Sequence, residues 1–363
     1  MKVPFVDLAA WTKPSRDQYL AAFAQVLDTG AFVGGPQVGS FEAAFATFCG
    51  AQQAVALNTG TDALVLALRA LGIGPGDEVI TAANSFFATA EAISHAGAKP
   101  VLADVDDATL LLDLDDAVKR LTPKTKAIIP VHLFGQLCDM HRVRGFAEHF
   151  KLHVLEDSAQ AHGATRAGDR AGSSADIAAF SFYPTKNLGA IGEGGAVTTN
   201  DPALADRVRR LRDHGQAGRH EHVEVGYNAR LDSVQCACLE INLARLPAAN
   251  DARRARAARY RQQLPNVRFT EIAPDSQPVY HLMVIRVDAA KRDAIREGLG
   301  KAGIATAIHY PTPIHLQKAY AHLSQAACPV AERAAKEMIS LPMFPDLTDE
   351  QVDYVSAELA KLL

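Results

Sequence analysis

Cysteine is scarce and odd in number: Cys49, Cys138, Cys236, Cys238 and Cys328 are scattered over 363 residues. Five thiols without regular spacing do not make a disulfide framework, so the pattern points to a reducing cytoplasm. A strong charge of either sign is also missing. Thirty-seven lysines and arginines face 41 aspartates and glutamates, a formal net charge of −4. That balance gives no long-range attraction for nucleic acid or an anionic membrane, and either partner would need a local patch. No apolar run approaches a membrane span, and the opening MKVPFVDLAA lacks the cationic and apolar regions of a signal peptide. Repeats, low-complexity tracts and long linkers are absent too. At 48% hydrophobic and 21% charged residues the chain is too apolar for disorder. Its length suits one large or two medium domains.

Short apolar strands alternate with helical stretches through the first half. Strands are expected at Ala54–Leu57, Glu78–Thr81, Pro100–Asp104, Ala127–Val131 and His153–Glu156. Helices are expected over Thr61–Leu71, Phe86–Ala96, Asp115–Leu121 and Asp139–His149. Such alternation implies right-handed crossovers and a mostly parallel α/β sheet. Between the strand-like Ala178–Phe182 and Gly195–Thr199 lies YPTKNLGAIGEG, too short and glycine-rich for a crossover helix. One strand there is therefore expected to run antiparallel. After a long helix at Leu231–Leu246 the composition shifts. A smaller α+β domain is expected over 247–363, following a large domain over 1–246. It would carry strands Tyr280–Val287 and Ile304–Tyr310, a helix Ala289–Ala302, and a closing helix whose Thr348 and Gln351 have capping-box spacing. Arg253, Arg254, Arg256, Arg259 and Arg261 repeat on a helical period. With net negative charge and no recognition motif, they read as a solvated face and not a nucleic-acid stripe.

Three segments carry chemistry. Asn58-Thr59-Gly60-Thr61-Asp62 follows a strand and opens a helix, where free amides and the helix dipole make a phosphate cradle; plain helix capping is the alternative. Glu156 and Asp157 end an apolar strand, the position where open α/β sheets bind ligands, with Gln160 three residues on. Either acid could hold a cationic group, or serve as a cap or ion pair. Lys186 lies in a glycine-rich loop, as a surface residue or as a cleft amine whose lowered pKa makes it a Schiff-base nucleophile. Cradle, acid and amine, with an aromatic face from Phe86, are the set pyridoxal 5′-phosphate requires. No Walker element is present, and Gly189-Ala190-Ile191-Gly192 lies in the wrong context for a dinucleotide fingerprint.

The order NTGTDAL, VLEDSAQAHG, FSFYPTKNLGAIGEGG, GYNARLD and HYPTPIHLQKAY resembles the DegT/StrS family of sugar aminotransferases, from PFVDLAA to SLPMFPDLTDE. The resemblance implies the aspartate-aminotransferase-like fold (fold type I), with a seven-stranded, mainly parallel sheet in the large domain. It implies pyridoxal 5′-phosphate, cycling through its pyridoxamine form, and a homodimer with shared sites. By the same resemblance Lys186 carries the cofactor and moves the proton, and Asp157 pairs with the pyridine nitrogen. Gln160 contacts the phenolic oxygen, Phe86 stacks on the ring, and Gly60, Thr61 and Ser181 bind phosphate with Asn228 of the second subunit. Members with histidine in place of the lysine are dehydratases, so Lys186 favours transamination. Thr59, where serine is commoner, and Glu193, where aspartate is frequent, depart from the pattern without removing a catalytic group.

The resemblance further implies L-glutamate as donor and a nucleotide-linked keto-deoxysugar as acceptor. FSFYPTKNLGA resembles members that aminate carbon 3 of TDP-linked 3-keto-6-deoxyhexoses; carbon-4 members more often carry histidine where Tyr183 stands. Tyr183, His309 and Tyr310 would face the sugar and Arg219 or His220 the diphosphate, or these are ordinary loop residues. His220-Glu221-His222 reads as a polar loop, and no metal is expected. The alternatives are a carbon-4 aminotransferase and a non-catalytic cofactor-binding regulator on the same fold.

Overall fold

The computed structural model describes residues 1–323 and 326–363. Seven strands form the central sheet: β1 (Gln53–Leu57), β2 (Glu78–Ala82), β3 (Lys99–Ala103), β4 (Thr125–Ile129), β5 (His153–Asp157), β6 (Ile177–Ser181) and β7 (Gly195–Thr199). Their order is β1-β7-β6-β5-β4-β2-β3. All neighbours are parallel except β7, which runs antiparallel to both β1 and β6. The short glycine-rich link after β6 can only return the chain beside the strand it leaves, so the expected antiparallel strand is β7.

The strands are almost continuously buried, as a sheet covered on both faces requires. One face packs on helix α1 (Gly60–Ala70) through Leu64, Leu68, Val79, Ile129 and Val197. The other carries Phe41, Phe45, Phe180 and Phe182, which meet edge to face. Helix α2 (Phe87–His95) begins after Phe86, whose extended backbone (φ −63°, ψ 146°) places it outside the first turn.

The long helix α3 (Ser233–Gln263) is one element. The expected helix ended at Leu246, where the composition shifts. The structure carries Pro247 inside the helix, so the expected border between residues 246 and 247 falls within a continuous rod. Of the five clustered arginines four are ion-paired or buried, and Arg261 donates to the Thr270 carbonyl. Arg256 and Arg259 pair with Asp349, Arg259 also with Asp353, and Arg254 with Asp251. Arg253 is buried and donates to the Tyr280 and Met343 carbonyls.

The C-terminal part is built on a three-stranded antiparallel sheet of Arg268–Phe269, Met283–Arg286 and Met338–Leu341. The strand expected at Ile304–Tyr310 is reduced to single bridges, Val3 with Ile304 and Ala307 with Ser340. Pro311 and Pro313 just beyond cannot donate to a ladder. The closing helix α4 (Asp349–Ala360) has the expected capping box, with Thr348 and Gln351 each bonding the other's backbone. No helix among the described residues is long and apolar enough to cross a membrane.

Candidate active site

Adjacent residues on a strand point to opposite faces, and this separates the two acids that end β5. Glu156 is fully buried and occupied. Its Oε2 accepts from His132 Nε2 (3.0 Å), the Gly172 amide (2.8 Å) and the Ser158 hydroxyl (3.3 Å), and its Oε1 from the Ser174 amide (3.0 Å). It fastens a loop. Asp157 faces the other way, with Oδ1 accepting from the Ala159 amide at 3.2 Å and Oδ2 from the Thr89 hydroxyl at 2.7 Å. Two oxygens with one firm donor each retain acceptor capacity for a ligand.

Thr89 lies in the first turn of α2, and its hydroxyl is 2.7 Å from that of Ser85. Because Thr89 donates to Asp157, Ser85 donates to Thr89, giving a two-step hydroxyl chain ending on a carboxylate. Phe86, the residue just before this turn, is 54% exposed, and its ring lies 5.5 Å from that of Tyr310. Ser85 and Thr89 were not among the expected site residues. Their only sequence signal is a four-residue spacing at a helix start, which many caps share.

Lys186 is set by a tight turn and by α3. Its amide donates to the Tyr183 carbonyl at 2.8 Å, and Ala190 returns to Phe182 at 2.8 Å. Next door, Asn187 Nδ2 donates to Asn250 Oδ1 and to the Val279 carbonyl, both at 2.9 Å, and Asn242 Nδ2 caps the Gly189 carbonyl at 2.8 Å. A side chain at Gly189 would collide with the Pro184 carbonyl. Burial pushes the Lys186 amine down to about 8 against the opposing pull of Asp157. The surrounding imidazoles stay neutral. Burial first and the lysine charge second lower His162 to about 3 and His309 to about 4, and hold His281 well below its ordinary value.

The cradle is equally close. Thr59 Oγ1 accepts from the Asp62 amide (3.0 Å), leaving the Gly60 and Thr61 amides at the open start of α1. A Cβ on Gly60 would lie 2.5 Å from Ser181 Cβ. Only glycine lets the end of β6 lie against the helix start, so Ser181 and the free amides share one concavity. Gln160 is buried, its Oε1 accepting from the Phe134 amide at 2.7 Å and its Nε2 donating to Tyr310 Oη at 3.1 Å.

These contacts set Gly60, with Thr61 beside it, against Ser181, join Gln160 and Phe86 to Tyr310, and bring Lys186 within electrostatic reach of Asp157 and His309, with Tyr183 (47% exposed) beside the lysine turn. His309 stacks on Phe5 at 5.6 Å and bonds Ser340 Oγ at 2.9 Å. Arg219 and His220 lie apart, exposed on the hairpin Gln216–His222. Asn228 is exposed as well and accepts from Arg230 at 2.8 Å. Among the described residues no hydrogen bond ties these three to the lysine cluster. His222 Nδ1 is 2.8 Å from the His214 carbonyl oxygen. Amine, acid, amide donor and anion cradle fit pyridoxal 5′-phosphate, whose phosphate, ring nitrogen, phenolic oxygen and aldehyde each need one of them.

Comparison with known proteins agrees. Residues 14–360 match the DegT/DnrJ/EryC1/StrS aminotransferase family. The chain is 45% identical, over 96% of its length and 93% of the relative's, to dTDP-3-amino-3,4,6-trideoxy-alpha-D-glucose transaminase of Streptomyces venezuelae. It is 44% identical to UDP-N-acetyl-3-dehydro-alpha-D-glucosamine 3-aminotransferase of Acidithiobacillus ferrooxidans, over 99% and 98% of the two chains. The crystal structure of S. venezuelae DesV in complex with a ketimine intermediate superposes with a TM-score of 0.97 at 44% identity, covering 99% of this chain and 98% of that one. Other structural relatives include pyridoxal- and pyridoxamine-phosphate forms, and the cofactor is therefore pyridoxal 5′-phosphate. Built on this sheet and matched over nearly its whole length, the chain belongs to the DegT/DnrJ/EryC1/StrS aminotransferase family.

Proposed function

We propose that the protein transfers an amino group from L-glutamate to a nucleotide-linked keto-deoxysugar, at carbon 3 of a 3-keto-6-deoxyhexose. The observation that carries this reading is a buried lysine amine within the electrostatic pull of Asp157, a carboxylate that the Thr89 hydroxyl and Ala159 amide orient and leave with acceptor capacity. Relatives named for 3-amino products support the carbon position.

Bound pyridoxal 5′-phosphate supplies an electron sink for the carbanion left when the amino-bearing carbon loses its proton. Lys186 Nζ, with a substantial neutral fraction near pH 7, removes and returns that proton. Asp157, oriented by Thr89, would pair with the pyridine nitrogen. Gln160 orients the ring, Phe86 covers one face, and Gly60, Thr61 and Ser181 hold the phosphate. Tyr183, His309 and Tyr310 line the sugar side.

The protein acts as a homodimer in this reading. Asn228 reaches the neighbouring subunit's cofactor phosphate, and Arg219 or His220 meets the substrate diphosphate. Phe23, Leu27, Phe32, Val33 and Ile191 are exposed in the isolated chain, apolar surface that a permanent partner would cover. The large and small domains stay joined through α3.

Purified protein loaded with cofactor, given L-glutamate and a panel of TDP- and UDP-linked 3-keto and 4-keto sugars, tests the proposal. Mass spectrometry should find amination of a 3-keto sugar. Amination of 4-keto sugars alone would overturn the carbon assignment. Failure to convert the cofactor with any amino donor would overturn the enzyme.

A further inference from the structure

A carboxamide presents an oxygen on one side and an NH2 on the other, and a flip exchanges donor for acceptor at any ligand it meets. Gln160 is denied that flip. Its Oε1 accepts from the Phe134 backbone N–H at 2.7 Å, and reversal would set two donors against each other. Phe134 sits in the left-handed region (φ 62°), followed by Gly135 (φ 96°). The turn is held from outside the site: the Val279 amide donates to the Gly135 carbonyl at 2.9 Å, and a Cβ on Gly135 would lie 2.9 Å from the His281 backbone nitrogen. The donor that fixes Gln160 thus depends on the C-terminal part of the chain.

The other end of the amide is fixed too. Nε2 donates one proton to Tyr310 Oη at 3.1 Å. The Tyr310 ring rests 5.5 Å from Phe86, so the hydroxyl has a defined place. Burial, with the charge of Asp157 behind it, raises the Tyr310 phenol above its ordinary value, and it stays neutral. The second Nε2 proton has no partner among the described residues.

We propose that the Phe134 amide and the Tyr310 hydroxyl clamp the Gln160 carboxamide so that it offers the cofactor's phenolic oxygen a donor and never an acceptor, making Tyr310 a positioning residue for the cofactor. This inference rests on the pyridoxal-phosphate reading of the cleft. A fixed donor stabilises the ionised phenolic oxygen and lowers the pH at which the lysine-bound cofactor changes its visible absorbance.

The test is a pH titration of that absorbance on purified holoenzyme without substrate, for wild type, Tyr310→Phe and Gln160→Glu. Tyr310→Phe keeps the ring against Phe86 and loses only the hydroxyl. Its midpoint should rise by about half a pH unit, roughly a threefold change in proton affinity. Gln160→Glu places a second oxygen where the donor stood, and its midpoint should rise by about one unit or more, roughly tenfold. Rises in that order support the clamp. A Tyr310→Phe midpoint equal to wild type, with only the KM for the ketosugar altered, overturns it and leaves Tyr310 a sugar contact. A wild-type protein that shows no visible band on addition of pyridoxal phosphate overturns the cofactor reading itself.

Discussion

The Thr89 hydroxyl donates to Asp157 Oδ2 at 2.7 Å, joining the first turn of α2 to the end of β5 across the cleft. Ser85 extends the chain by a second hydroxyl at 2.7 Å. The bond fixes the orientation of the Asp157 carboxylate, and Phe86 sits immediately before the turn that supplies it.

Thr89→Val should preserve shape and remove the donor. A hydrogen bond to a charged group is worth about 1.5–3 kcal/mol, so kcat/KM should fall roughly 10- to 100-fold. Thr89→Ser should recover most of it. The glutamate half-reaction, followed by absorbance, is the measurement. Equal loss in the valine and serine variants would assign Thr89 to packing alone.

The lowered Lys186 pKa has a kinetic consequence. At pH 7 roughly a tenth of the amine is neutral, against about one part in 3,000 for an ordinary lysine. The rate at which apoprotein takes up pyridoxal phosphate covalently should rise with pH through a midpoint near 8 and level off above it. Asp157 opposes the shift, so Asp157→Asn should move the midpoint lower still. Stability carries the opposite mark. The unfolded lysine keeps its proton up to about 10.5 and the folded one only to about 8. The penalty of burying the amine is therefore full below pH 8 and fades as pH rises toward 10.5. Urea unfolding of wild type and Lys186→Met across that range should show the difference closing.

Much of this arrangement was legible in the sequence. β1 to β7 announced themselves as short apolar runs, and YPTKNLGAIGEG betrayed the antiparallel strand because twelve glycine-rich residues cannot hold a crossover helix. Residue types at Gly60, Asp157 and Lys186 carried the chemistry. Only the family resemblance singled out Asp157; residue type and strand pattern alone could not say which of Glu156 and Asp157 faces the ligand, since that depends on where β5 ends against its neighbours. Nor could it pair Thr89 with Asp157 or Phe134 with Gln160, contacts that exist only once the sheet is assembled. Helix α3 runs past its expected end at Leu246 because composition is a local signal, while Asn242, Asn250 and Arg253 tie the helix to partners far along the chain.

Away from the cleft, Asp107 gathers Arg268, Arg286 and Arg333. Burial alone would raise its carboxyl, but these hydrogen bonds outweigh it and hold the group well below the usual range. Arg286 is itself buried, so losing Asp107 leaves a guanidinium with Glu337 as its remaining carboxylate partner. Asp107→Asn should lower Tm by a few degrees at pH 7, the effect being moderated because Asp107 is partly exposed. A depressed carboxylate stabilises above its unfolded pKa and loses that contribution as pH falls through the folded value. The gap between wild type and variant should therefore shrink below about pH 4. Thermal melts at pH 7 and pH 3 would measure it.

Asn228 gives the dimer its most direct test. Within its own chain it is exposed and tied to Arg230, beside the short bridge between Asp213 and Asn228. If it completes the neighbouring subunit's phosphate site, each cleft draws on both chains. Lys186→Ala should be folded and inactive, because phosphate and ring contacts come from other residues, and Asn228→Ala should lose most activity through weakened cofactor binding. Mixing the two sorts the lesions. In a mixed dimer one cleft receives both changes and the other receives neither, so activity should return to about half the wild-type rate per mixed dimer. The readout is turnover after subunit exchange, with the mixed species verified by differently sized tags. Mixed dimers that stay inactive would place Asn228 in its own subunit's site. An active monomer at low concentration would reject shared sites altogether, because no second chain would be there to supply the missing amide.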